Sequence, residues 1–250
     1  MGSPSLSERL VELARVLQDE PHFKPTAERV VAEVVEWTGP DTEAGISLVR
    51  RGERVETVAP TSEVVVRGDA LQYEMEEGPC LSAIWDEPQV YAGDLAIDQR
   101  WPRWAPKVAH ELGVRSMLCS RLFTNADTLG ALNVYSPHRH AFDEHNRDEI
   151  LALSAHAAIA VADAQEIENL TIAVDRRTTI GVALGMVMER FGMSQSNAFS
   201  LLKRLSSHSN RKLYDVAFEI AATGKVPADQ PSSQAGPQPA NRPAVRNVGA

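Results

Sequence analysis

The chain has 250 residues and a formal net charge of −9, with 34 Asp and Glu against 25 Lys and Arg. This length accommodates a sizeable domain plus a small one, and a hydrophobic content of 43% is ordinary for a globular protein. No apolar run reaches the roughly 18 residues of a membrane span, and the opening segment MGSPSLSERLVELARVL interleaves apolar with charged residues, so neither a span nor a signal peptide is expected, and a cytoplasmic location is.

Charge is unevenly placed. Residues 1–169 carry 15 basic against 29 acidic side chains, whereas 170–225 carry 8 against 4, so a basic end follows an acidic body. A compact basic end suits phosphate-bearing partners. Cys80 and Cys119, far apart, make neither a disulfide framework nor a four-ligand zinc site and are expected as reduced thiols.

In chain order, Leu6, Leu10, Leu13 and Leu17 predict an amphipathic helix. Val30, Val31, Val34 and Trp37 predict a second, ended by Gly39. The period then changes. AGISLV and RVETVA flank a turn segment at Arg50–Glu53, and SMLCSRLF and LGALNVYS flank another at Thr124–Thr128, which reads as two antiparallel hairpins. Between them lie CLSAIW after Gly78-Pro79, a strand-like QVY and a candidate helix from Trp104 to Leu112, a mixed layout around one sheet.

From Pro137 to Gly181 neither proline nor glycine occurs, which predicts a long connecting helix over about 146–191. Leu153, Ala157, Ala160, Ala164, Ile167 and Val174 form a heptad-like seam; it either pairs with a second chain as a coiled coil or packs on the sheet of its own domain. Ile180, Leu184, Val187 and Phe191 make a further stripe ended by Gly192. Ser194 then caps a helix bearing Ala198, Leu201, Leu202 and Leu205, and Asn210 is expected to cap a last helix bearing Leu213, Val216, Ala217 and Ile220. The pattern divides into a first domain at 1–165, a helical domain at 166–225 and a tail at 226–250 whose Pro, Gln, Ser, Ala and Asn predict disorder. The fold class is α+β.

Three basic pairs, Arg176-Arg177, Lys203-Arg204 and Arg211-Lys212, mark predicted helix ends of the basic segment; any one pair suits a solvated helix terminus, and three together suit RNA. Arg177 and Arg204 lead the candidates, followed by Lys203, His208, Arg211 and Lys212. In the first domain, Cys80 follows Gly78-Pro79 at a predicted helix start, where the dipole activates a thiol. The competing reading is a small buried hydrophobe. Trp101 and Trp104, preceded by Asp94 and Asp98, either line a sensory pocket with Cys80 and Cys119 or seal the core edge. His138, His140, Asp143 and His145 lack the rigid spacing of a metal motif, and a solvated loop is expected there. No phosphate loop, nucleophile elbow or kinase signature occurs, so the chain is expected not to be an enzyme.

The segment DRRTTIGVALGMVMERFGMSQSNAFSLLKRLSSHSNRKLYDVAFEI resembles the ANTAR domain, with Arg177, Gly181, Ala183, Gly185, Arg190, Gly192, Ala198, Phe199, Leu202, Arg204, Asn210, Lys212, Asp215 and Ala217 among the matching positions. Leu184 departs from it, standing where the family commonly has a lysine. Residues EGPCLSAIWDEPQVYAGDLAIDQRWPRW, GVRSMLCSRLF and LGALNVYSPHRHAF are similar to the GAF half of actinobacterial-type GAF–ANTAR regulators. Phe142 is followed by Asn146-Arg147 rather than the Asp-Glu of the cyclic-nucleotide subset, which disfavours such ligands. The resemblance implies a homodimer that binds tandem RNA hairpins in transcript leaders and favours an antiterminator, with a small-molecule ligand in the GAF domain and no membrane. It fixes neither ligand nor cofactor. A thiol-based redox sensor or reductase-like protein acting through Cys80 is the alternative.

Overall fold

The structure is a computed structural model that describes residues 5–18, 20, 22–50, 54–124 and 128–227. The turn residues 51–53 and 125–127 and the expected tail from 228 onward lie outside the described residues. The chain divides into two compact units at the Leu170/Thr171 boundary.

The first unit is a five-stranded antiparallel sheet with helices on both faces. Its strands are β1 (Glu43–Arg50), β2 (Arg54–Val58), β3 (Gln89–Ala92), β4 (Ser116–Phe123) and β5 (Thr128–Ser136), in spatial order β2-β1-β5-β4-β3. Successive side chains of a strand point to opposite faces. Ala44, Ile46 and Leu48 of β1, Leu118 and Leu122 of β4, and Leu132 and Val134 of β5 therefore share one core with Leu13, Leu17, Val30, Val31, Val34, Ile150 and Leu153. Those last residues come from α1 (Leu6–Gln18), α2 (Phe23–Thr38) and the start of α6 (Glu144–Phe191). Arg9 fastens the three helices, donating to Glu149 Oε1 at 2.6 Å and lying 3.8 Å over the Trp37 ring.

On the opposite face, Met117, Cys119, Ala131 and Tyr135 pack with Val65, Leu71, Cys80, Ile84, Trp104 and Val108. These belong to α3 (Glu63–Met75), α4 (Pro79–Trp85) and α5 (Trp104–Glu111). α3 was not foreseen. It seats closely on the sheet because Gly68 has no side chain, and a Cβ there would lie 3.0 Å from the Tyr135 ring. CLSAIW is the helix α4, and QVY is β3 with Ala92 added.

α6 opens on a reciprocal cap, with Asp143 Oδ1 accepting from Asn146 N at 2.8 Å and Asn146 Oδ1 from Asp143 N at 3.3 Å. It ends at Gly192, in the left-handed region at φ 60°. Among the described residues it is the one helix long and apolar enough to cross a membrane, and its Ile150, Leu153, Ala157, Ala158 and Val161 are buried in the sheet core. Hence the early part of the expected seam packs on its own domain. The apolar surface of the sheet captured Leu153 and Ala157, while residues 166–178 are all exposed.

In the second unit α6 continues, followed by α7 (Gln195–Ser209) and α8 (Leu213–Thr223). Ala183, Val187, Ala198, Leu202, Leu205, Val216, Ala217 and Ile220 form its core, with Ile180 and Leu184 partly buried against it. Phe191 leaves the predicted stripe and is exposed, because the helix ends there. Ser194 caps α7 by accepting from Asn197 N at 3.4 Å. Asn210 does not open the last helix. It closes α7 in the left-handed region at φ 51°, a role Asn shares with Gly, and Lys212 is the residue before α8. Arg190 Nη1 donates to Gly224 O at 2.6 Å, tying the end of α6 to the end of α8.

Candidate functional site

The helical unit carries its cations outside. Arg177 lies on α6, Lys203, Arg204 and His208 on the later turns of α7, and Arg211 and Lys212 in the α7–α8 connection; all six are exposed. Five of them thus fall on one continuous stretch from the end of α7 to the start of α8. Arg211 is paired with Glu219 and reaches Asp215 O at 3.4 Å. Lys203 Nζ sits 4.7 Å over Phe199.

An aromatic strip was missed in the sequence. The rings of Tyr214 and Phe218 lie 6.1 Å apart, the Arg176 guanidinium sits 5.8 Å over Tyr214, and Phe218 is 56% exposed. Its signal was available as an i, i+4 aromatic pair on the outward face of a short helix. A guanidinium over a half-buried ring, with an exposed ring beside it, is an arrangement on which unstacked bases lie.

The first unit keeps its chemistry inside. Cys80 stands at the start of α4, yet it is wholly buried, and desolvation followed by the negative charge of Asp69 pushes its thiol up to about 12. The activation expected at a helix start is overruled, because removing a thiolate from water outweighs the dipole of a seven-residue helix. Cys119 is equally buried on β4, its thiol raised by desolvation. Trp104 is also core, donating from Nε1 to Gly68 O at 3.0 Å and meeting Trp101 edge-to-face with centroids 6.4 Å apart. Trp101 alone of the four expected pocket residues lines a groove, its Nε1 donating to Ser82 Oγ at 3.3 Å.

Asp94 is an ion-pair hub. It binds Arg115 at 2.9 Å and Arg139 at 3.2 Å, and the hydrogen bond from Arg115 holds its carboxyl below the ordinary range. His138 lies 3.3 Å from Asp41, His145 lies 3.4 Å from Glu149, and the backbone N–H of His140 donates to Gly93 O at 2.8 Å. Among the described residues no group of three or more His, Cys, Asp or Glu is placed to hold a metal ion.

Behind the groove lies a polar network for which the sequence held no local signal, since its members come from four separate elements. Asp69 of α3 is wholly buried. Its Oδ1 accepts from the Tyr135 hydroxyl, from Asn133 Nδ2 at 3.0 Å and from Gln72 Nε2 at 3.2 Å; its Oδ2 accepts from Thr57 Oγ1 at 2.8 Å and from Ser47 Oγ at 3.4 Å. Burial raises its pKa to about 6 against the pull of those donors. Gln72 Oε1 in turn accepts from Cys80 N at 2.8 Å, an approach that leaves no room for a side chain at Gly78, whose φ is +147°. Asn133 Oδ1 is buried without a partner.

The groove itself has a volume of about 810 Å³ and is lined among others by Tyr73, Glu76, Gly78, Leu81, Trp85 and Trp101. Tyr73 belongs to both places. Its ring lines the groove, and its hydroxyl bonds Ser47 Oγ at 2.6 Å and Thr57 Oγ1 at 2.8 Å. A GAF domain model matches residues 23–162, and an ANTAR domain model matches 168–220.

The chain belongs to the GAF–ANTAR antitermination regulators. The ANTAR domain implies RNA-binding regulation of antitermination and the GAF domain signal sensing, an architecture that points to a regulator rather than an enzyme. No curated protein matches the chain by sequence. Among solved structures, the GAF domain of an Acinetobacter phosphoenolpyruvate-protein phosphotransferase is 15% identical, covering 67% of this chain and 99% of its own, with a TM-score of 0.52. Free methionine-R-sulfoxide reductase from Neisseria meningitidis, in complex with its substrate, is 18% identical, covering 66% and 96%, with a TM-score of 0.51. At such identities the likeness is one of fold alone.

Proposed function

We propose that this GAF–ANTAR protein is a cytoplasmic homodimer that binds tandem RNA hairpins in transcript leaders through its ANTAR domain, under control of a small molecule held by its GAF domain. The observation that carries the reading is the exposed run Lys203, Arg204, His208 and Lys212 with Arg177, set on a basic unit of an otherwise acidic chain. An acidic first domain repels polyanions, so the RNA contact falls to the second. The Tyr214–Phe218 strip beside Arg176 adds a stacking surface for loop bases.

Pairing of two chains is supported by α6, where Ile167, Leu170 and Val174, spaced by three and four, are 49%, 59% and 63% exposed. An apolar groove of about 440 Å³ between α1 and α6, lined by Leu17, Ile159, Ala160 and Ile167 among others, widens that surface. The signal acts by favouring one dimer arrangement, which requires it to bind the two arrangements unequally. Gel-shift titration compares a tandem-hairpin RNA with a single hairpin and with duplex DNA. Preference for the tandem RNA supports the reading; equal or tighter binding to the DNA overturns it. The thiol-based alternative loses ground to the burial of Cys80 and Cys119.

A further inference from the structure

A carboxylate taken wholly out of water is costly unless a cation or several strong donors compensate it. Asp69 has the donors and lacks the cation, because Ser47, Thr57, Gln72, Asn133 and Tyr135 are all neutral. One acceptor in the same cluster is left over. Asn133 spends both amide hydrogens, on Asp69 and on Ser47 Oγ at 2.8 Å, while its Oδ1 is buried with no partner. A buried orphan acceptor beside a carboxylate held by neutral donors alone suits a positively charged donor of hydrogen bonds. A primary ammonium supplies one charge and three N–H donors, which matches that deficit, whereas an anion in the same place faces repulsion from Asp69.

The way in is already built. Tyr73 stands between the network and the groove, lining the one and bonding Ser47 and Thr57 of the other through its hydroxyl. Rotation of Tyr73 toward the groove breaks its bonds to the Ser47 and Thr57 hydroxyls, both of which donate to Asp69 Oδ2. The groove favours cations too. Arg100 is engaged with Asp98, and Glu77 with Arg103, leaving Glu76 and Asp86 against Arg54 among its charged lining residues.

From these contacts we infer that the GAF domain binds a small molecule bearing a primary ammonium, which displaces the Tyr73 hydroxyl and bonds Asp69 and Asn133 Oδ1, while the rest of the molecule lies in the groove against Trp101 and Trp85. This rests on the reading of the first unit as a small-molecule sensor and names the chemical class it senses. It also gives the orphan acceptor a partner and the buried carboxylate a counter-charge.

All four tryptophans, Trp37, Trp85, Trp101 and Trp104, lie in the first unit, so tryptophan fluorescence reports its melting separately from that of the helical unit. The test melts the full chain in n-propylammonium chloride, tetramethylammonium chloride, sodium propionate, n-propanol and sodium chloride at matched high-millimolar concentration. Propylammonium alone raises Tm, by about 2–4 °C, since a ligand that binds only the folded state stabilises it. Asp69→Asn removes the shift, and Tyr73→Ala enlarges it by opening the boundary. Should Asp69→Asn not fold, Asn133→Ala, which keeps the carboxylate, loses at least half of the shift. An equal shift with tetramethylammonium, or a shift that survives in both Asp69→Asn and Asn133→Ala, overturns the inference. Stabilisation by propionate or propanol and not by propylammonium overturns it while sparing the sensor reading, and no shift with any probe counts against both.

Discussion

The GAF and ANTAR domains of this chain place their polar chemistry in opposite ways. The first buries a carboxylate under five neutral donors and seals two cysteines in the same core, while the second builds a small apolar core and turns its cations and the Phe218 ring outward. In the first, polar residues are bound up with stability, so altering them is felt throughout the fold. In the second the cations stand outside the apolar core, where a polyanion can reach them.

The sharpest way to break this contrast is Asp69→Ala. It strands five donors in the core and lowers the stability of the GAF domain by roughly 4 kcal/mol, read as a lower urea midpoint of tryptophan fluorescence, with RNA affinity per folded molecule unchanged. A midpoint that does not move makes the network ornamental and ends the distinction.

The pH dependence follows from the same group. The Asp69 pKa rises from 3.8 to about 6 on folding, so the folded state holds its proton where the unfolded chain has lost it. Stability contributed in this way is complete below about pH 4 and is lost as pH rises through 6, a decline of about 3 kcal/mol in all. Asp94 runs the other way, losing its contribution as pH falls through its depressed pKa, which leaves the window from about 4.5 to 6.5 to Asp69. Urea midpoints across that window fall with rising pH in the native chain and stay flat in Asp69→Asn.

In the ANTAR domain, Tyr214→Ala and Arg204→Ala separate stacking from charge. Each weakens RNA binding by roughly tenfold at moderate salt, but only Arg204→Ala reduces the slope of log affinity against log salt, by about 1. Equal slopes merge the two roles. The smallest effect is Ser194→Ala, which loses the α7 cap at about 1 kcal/mol, measured by thermal melting of helical circular dichroism.

The same contrast decides what could be read in advance. Ser194, Gly192 and the proline-free run into α6 are local signals, and the helical domain assembles from neighbours in sequence, so its elements and its exposed cations were legible. Asn210 misled because one residue type serves both ends of a helix. α3 escaped notice because Val64, Val65, Val66 and Gly68 are poor helix formers, and packing against the sheet overrides their propensity. Asp69 could not be singled out at all: its partners stand on β1, β2, β5 and α3, and only the folded sheet brings them together. The position of Cys80 at a helix start was legible, whereas its burial was a tertiary fact that reversed the chemistry.

The exposed stretch of α6 at residues 166–178 carries a further consequence. Its sequence EIENLTIAVDRRT is rich in β-branched side chains, and none of its thirteen residues is buried. Helical order there rests on propensity, on a few surface contacts and on the packed turns of α6 to either side. The rigidity of this shaft is therefore borrowed from the packed segments of α6 that flank it. Its backbone amides are expected to exchange with solvent faster than those of the buried turns of α6, and anything that packs along the shaft would slow that exchange.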